Sequence, residues 1–114
     1  MKLWIDDVRP APNKYFWCKT VDHAKSIIEL WEVNQDKDDL NVPIIILDYG
    51  RVIELIDIDH DAGDYAHLGG DYIKLLDWLE ETGRNYPIRI HSQNIVGVEN
   101  MRRIIERNGW KEIR

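Results

Sequence analysis

The chain has 114 residues, a formal charge of −6 and 44% hydrophobic residues, five of them Trp. That length suits one domain over residues 1–114, and the apolar content excludes disorder. The acidity excludes an extended duplex-binding surface, which needs clustered Lys and Arg, but is compatible with a phosphorylated small molecule or one RNA end held by local cations or a metal.

Cys18 is the only cysteine, so neither an internal disulfide nor a cysteine metal site is available, as suits a reducing cytoplasm. No apolar leader follows Lys2, and no apolar run approaches the roughly 20 residues of a membrane helix. Leu3 to Ile5 read as a strand stopped by Asp6-Asp7, and Val8 to Lys14 form a loop because Pro10 and Pro12 remove backbone donors. Tyr15 to Lys19 suit a second strand. Thr20 caps a helix whose buried stripe is Val21, Ala24, Ile27, Ile28 and Trp31.

Two apolar runs follow, Ile44 to Leu47 and Ile53 to Ile58, too close together for a helical crossover. They read as a hairpin, or as one regular and one irregular strand, with Glu54 to Asp59 the central one. Gly69-Gly70-Asp71 opens a helix, with Asp71 as cap and Tyr72, Leu75, Leu76 and Leu79 facing inward. Ile88 to Ile90 read as a strand, Val98 to Ile105 as a last helix closed by Gly109, and Trp110 to Ile113 as a final short strand. Strands alternating with helices predict a mostly parallel sheet covered on both faces, with ligands bound beyond the carboxyl ends of its strands.

Three such ends are polar. Asp6 and Asp7, with Asp59, offer hard oxygen ligands for Mg²⁺, a reading favoured over one of the pair merely capping a turn in the Pro-rich loop because the acidic pair repeats the pattern at Asp59. His60 follows Asp59 directly, and Asp61 is placed to orient its ring, as proton transfer requires. Asp57 lies inside the strand and suits a pairing with a neighbouring cation. His91 ends the later strand, before Ser92 and Asn94, which suit phosphate oxygens; the same polar groups are also able to cap the next helix. His60 and His91 together fit the acid and base of phosphodiester cleavage, with Zn²⁺ ligation as the alternative. Arg9 is the better phosphate clamp, because Arg89 alternates with Ile88 and Ile90 toward the opposite face. His23, His67 and Asp64 read as structural or surface residues.

The order of acidic pair, central Asp and later Ser resembles the receiver domain of two-component signalling. That resemblance implies Mg²⁺ at Asp6 and Asp7, a phosphoacceptor at Asp59 and a phosphate contact at Ser92. Three departures are visible: the Pro-rich loop leaves almost no room for a first helix, no Lys-Pro follows the last strand, and His60 and His91 stand beside the acceptor and Ser positions. Leu3-Trp4-Ile5-Asp6-Asp7-Val8-Arg9-Pro10, Asp59-His60-Asp61, and Ile90-His91-Ser92-Gln93-Asn94 with Gly97, Glu99 and Asn100 resemble more specifically the cyclic-phosphate-processing receiver domains.

The expectation is therefore a three-layer α/β, receiver-like (flavodoxin-like) domain with its first helix short or missing. Its expected activity is that of a phosphodiesterase-type hydrolase acting on a cyclic phosphate, at an RNA end or in a small molecule. Catalytic roles go to His60, His91 and Asp59, metal ligation to Asp6, Asp7 and Asp59, and phosphate binding to Arg9, Ser92 and Asn94. The competing expectations are a signalling receiver phosphorylated at Asp59 and a module that senses phosphate or nucleotide without turnover.

Overall fold

A computed structural model describes residues 1–114. Four parallel strands, β1 (Lys2–Ile5), β2 (Tyr15–Cys18), β3 (Leu55–Ile58) and β4 (Ile88–Ile90), form one sheet in the order β2-β1-β3-β4. The helices are α1 (Val21–Val33), α2 (Ile44–Tyr49), α3 (Ile73–Glu81) and α4 (Ile95–Asn108). The parallel α/β arrangement and the absence of a helix between β1 and β2 are as expected. No helix is long and apolar enough to cross a membrane.

The fold is the expected receiver-like α/β arrangement, with its helices gathered on one face of the sheet. Right-handed crossovers that step in opposite directions along a parallel sheet lie on opposite faces. The connections from β2 to β3, from β3 to β4, and from β4 to the bridge at Glu112 all step the same way, so α1, α3 and α4 share one face. Their buried residues form a single core with Leu3, Ile5, Cys18, Ile56, Ile58 and Ile88. Only the β1–β2 connection steps the other way, and it is the Pro-rich loop rather than a helix. One sheet face therefore has no helical cover. It carries one in-register row, Trp17, Trp4, Asp57 and Arg89.

Three local expectations are corrected. Ile44 to Leu47 is not a strand but the start of α2, led by Pro43 and ended by Gly50 at φ 95°. Pro43 lacks the N–H that a helix start leaves unpaired anyway. Ile46 and Tyr49, one helical turn apart, reach the core, while Ile44 stays exposed. Asp71 does not cap α3, whose cap position is Tyr72; its Oδ1 accepts from the Ala62 N–H at 3.0 Å and ties down the loop after β3. Trp110 to Ile113 is reduced to an isolated parallel bridge between Glu112 and Ile88. Elsewhere the local signals hold: Thr20 caps α1 through the His23 N–H, and α4 starts at Asn94 and stops at left-handed Gly109.

Candidate functional site

The sheet reverses its winding between β1 and β3, and the crevice at such a reversal is where open α/β sheets bind ligands. Asp6 leaves β1 and Asp59 leaves β3 at this point, the Asp59 N–H donating to the Ile5 carbonyl at 2.9 Å. Asp6, Asp7 and Asp59 each offer one ligand atom, and the three atoms lie within 4.8 Å of one another. The predicted acidic cluster is thus assembled, and its all-oxygen donor set fits a hard divalent cation.

Asp6 is fully buried and its carboxylate is fixed from two sides. Oδ1 accepts from the Val8 and Arg9 N–H groups at 2.9 and 2.8 Å, so Asp6 does cap the turn into the Pro-rich loop. Oδ2 faces His91 Nε2 at 3.0 Å. Burial raises its pKa, but those two N–H donors and the His91 ring outweigh it and leave Asp6 below the usual carboxylate range. Asp7 goes the other way: burial, then the charges of Asp6 and Asp59, push it up. A carboxylate held up by its neighbours is one that a cation would relieve. Gly63, at φ 55°, borders Asp7 so closely that a Cβ there would meet Asp7 Oδ2.

His91 is held more tightly than its strand-end position suggests. Its Nδ1 faces Asp57 Oδ1 at 2.6 Å, its Nε2 faces Asp6, and its ring stacks on Trp4 at 3.7 Å between centroids and 3° between planes. The ring is thus engaged at both nitrogens. Asp57 is also fully buried, and its second oxygen lies 3.4 Å from Arg89. A buried, paired carboxylate inside an apolar strand is costly, so its partners fix its place.

His60 belongs to a neighbouring group. Its N–H donates to Asp59 Oδ1 at 2.8 Å, its Nδ1 faces Asp61 Oδ1 at 2.8 Å, and Asn94 Nδ2 lies 3.4 Å from the same nitrogen. The ring rests on Gly97, where a Cβ would lie 2.5 Å from ring carbons. Asn94 caps α4 through Oδ1 and the Gly97 N–H, and Ser92 Oγ accepts from the Asn94 N–H at 3.2 Å, so both residues do the capping work weighed for them. Arg9 bridges the loop to β4, donating to the His91 carbonyl at 3.1 Å while its half-exposed head stays beside Asp6.

The structure thus links Asp6, Asp7, Asp59, His91 and Arg9 in one site and joins His60, Asn94 and Ser92 to it through Asp59. Trp4 and Tyr72 were not singled out from sequence as site residues, and Asp57, read there as pairing with a neighbouring cation, does so with Arg89 and takes a second role. Trp4 backs His91, Asp57 clamps it, and buried Tyr72, whose hydroxyl donates to the Lys19 carbonyl at 2.7 Å, lies under the acids. Burial first, then Asp7, Asp6 and Asp59, push the Tyr72 hydroxyl far up, so it stays a neutral donor. His23 packs edge-on against Phe16, away from these groups. The Lys111 carbonyl accepts from the N–H of Ile88, the first residue of β4, so Lys111 lies at the sheet end opposite the site.

A family model, that of the cyclic-phosphate processing receiver domain, matches residues 1–107. No curated protein and no solved structure matches the chain.

Proposed function

Because the chain belongs to the cyclic-phosphate processing receiver domains, we propose that its acidic crevice hydrolyses a cyclic phosphate or a related phosphodiester. The observation that carries this reading is the three-carboxylate cluster at the sheet's switch point, flanked by two histidines that are held differently. Asp7 and Asp59, with Asp6, would hold a divalent ion such as Mg²⁺, which supplies charge neutralisation at the phosphoryl oxygens.

The two histidines do different work. His60 Nδ1 donates to Asp61, whose carboxylate also accepts from Asn94 Nδ2, and this leaves Nε2 as the working nitrogen of His60. In this mechanism Nε2 accepts a proton from the attacking water as the new P–O bond forms. A proton then passes to the departing ring oxygen as its P–O bond breaks. His91, engaged at both nitrogens, orients Asp6. The Arg9 guanidinium would meet phosphate oxygens, with Ser92 and Asn94 as further phosphate contacts.

The test is turnover of 2′,3′-cyclic nucleotides with Mg²⁺. Undiminished turnover by a His60→Ala/His91→Ala double variant would sink the mechanism. A mass adduct from a small phosphodonor, lost in Asp59→Asn and unaccompanied by turnover, would point instead to phosphoacceptance. Binding without product would point to sensing.

Gly97→Ala isolates His60. Alanine favours a helix over glycine by about 1 kcal/mol, which offsets part of the steric conflict. The displaced imidazole is expected to lower turnover about a hundredfold, the scale of a misplacement near 1 Å. Stability should shift little by urea titration, while the His60 ring resonances move. Unchanged turnover would remove His60 from the mechanism.

A further inference from the structure

Only one edge of the helix-free face, where Trp4 and Asp57 hold His91, belongs to the chemistry above. The outward positions of the face are Lys2 and Trp4 on β1, Tyr15 and Trp17 on β2, and Arg89 on β4, with Lys19 just past β2. Asp57 also belongs to this face, but it is buried and already paired with His91 and Arg89. On a chain with formal charge −6, the solvent-reaching charges at these strand positions are the cations Lys2, Arg89 and half-exposed Lys19; Arg89 lies beside Asp57, and Lys2 shares a cleft at the edge of the face with Lys14, Asp48 and Glu54.

Aromatic rings and cations interleave here. Lys19 Nζ lies 4.6 Å from the Trp17 ring, Lys2 Nζ lies 5.6 Å from the Tyr15 ring, and Tyr15 meets Trp4 edge to face at 6.0 Å. Both indoles are fixed by hydrogen bonds. Trp17 Nε1 donates to the Asp6 carbonyl at 2.7 Å and Trp4 Nε1 to the Arg9 carbonyl at 2.8 Å. These anchors are the residues of the acidic site, and Trp4 stacks on His91, so the face runs directly into the crevice.

We propose that this face is a platform for single-stranded RNA, carrying the nucleotides upstream of a 3′ end whose cyclic phosphate enters the acidic site. The proposal deepens the cyclic-phosphate reading and rests on it for the identity of the reacting end. The occupant follows from chemistry. Cations alone would accept any polyanion and rings alone any apolar partner, whereas alternating cations and rigid rings match alternating phosphates and bases. A four-stranded sheet of this size has room for about two or three stacked bases. A 2′,3′-cyclic phosphate requires a ribose, which selects RNA over DNA.

The test compares a fluorescein-labelled RNA octamer bearing a 2′,3′-cyclic end with a 2′,3′-cyclic mononucleotide. Each stacked base strengthens binding by about tenfold, so the octamer is expected to bind at least tenfold more tightly. Its affinity should fall with salt at a log–log slope of about −2 for three paired cations. Lys2→Glu/Lys19→Glu is expected to remove the octamer's advantage while leaving mononucleotide turnover unchanged, and Trp17→Leu to reduce the advantage separately.

An octamer bound no more tightly than the mononucleotide overturns the platform. So does an octamer affinity that the double Glu variant leaves intact, or a face covered by self-association in sedimentation. If the octamer binds through these residues but neither probe is hydrolysed, the platform stands and the cyclic-phosphate reading fails.

Discussion

Asp59→Asn is expected to cut turnover of a cyclic phosphate by about 10³-fold, the scale of losing one group preorganised at a developing charge. It is also expected to leave the metal-free protein at least as stable as the parent. The two outcomes share one cause. Asp6, Asp7 and Asp59 offer ligand atoms within 4.8 Å of each other, and their mutual repulsion adds to burial in holding Asp7 above the usual carboxylate range. A raised carboxyl stabilises the fold below its ordinary value and loses that contribution as pH rises through the raised one. Asp6, which is depressed, contributes above the ordinary value and loses the contribution as pH falls through its lowered one. The parent should therefore carry a penalty from Asp7 at neutral pH, and Asp59→Asn should lessen it. Mg²⁺ should reverse the order: ligand at a hundred times its dissociation constant stabilises by about 2.7 kcal/mol, and only where the site binds it. Denaturation midpoints of both proteins, with and without Mg²⁺, are the measurement. A variant destabilised without metal and still stabilised by it would remove Asp59 from the cluster.

Much of this site was legible because strand ends are legible. Leu3 to Ile5 and Ile56 to Ile58 run apolar into Asp6-Asp7 and Asp59-His60, and parallel topology brings such ends to one edge. What escaped depends on cross-strand register and side-chain stacking, which one segment does not encode. Trp4 pairs with Asp57, and Asp57 with Arg89, only once β1, β3 and β4 are aligned. The clamp on His91 has no local signal beyond an acid placed inside an apolar strand. That acid was itself the clue, since a carboxylate rarely survives there without partners. Ile44 to Leu47 was misread because a short apolar run has no period that separates strand from buried helix; Pro43 and Gly50 at its ends were the better evidence. The bare sheet face follows from the missing helix after β1, but only when joined to the strand order β2-β1-β3-β4.

Asp57→Leu should then be the most damaging change to the fold near the site. The Asp57 carboxylate is fully buried, 2.6 Å from His91 Nδ1 and 3.4 Å from Arg89. Removing one member of a buried pair strands the other, at a cost of about 3–5 kcal/mol. Urea unfolding should show this as a lower midpoint with an unchanged slope. Asp57→Asn separates positioning from packing, because it preserves shape and one acceptor but removes the charge that holds the ring. It should unfold close to the parent yet lose about 10–100-fold in Mg²⁺ affinity and turnover, as when a residue orienting a metal ligand is changed. The path is short: Asp57 holds His91, His91 holds Asp6 Oδ2, and Asp6 is one wall of the cluster. The ¹⁵N shifts of the His91 ring should therefore change in Asp57→Asn, while those of His60, which is held instead by Asp61 and Asn94, should not. Asp57→Asn with parental Mg²⁺ affinity and an unaltered His91 ring would reduce Asp57 to a structural ion pair with Arg89.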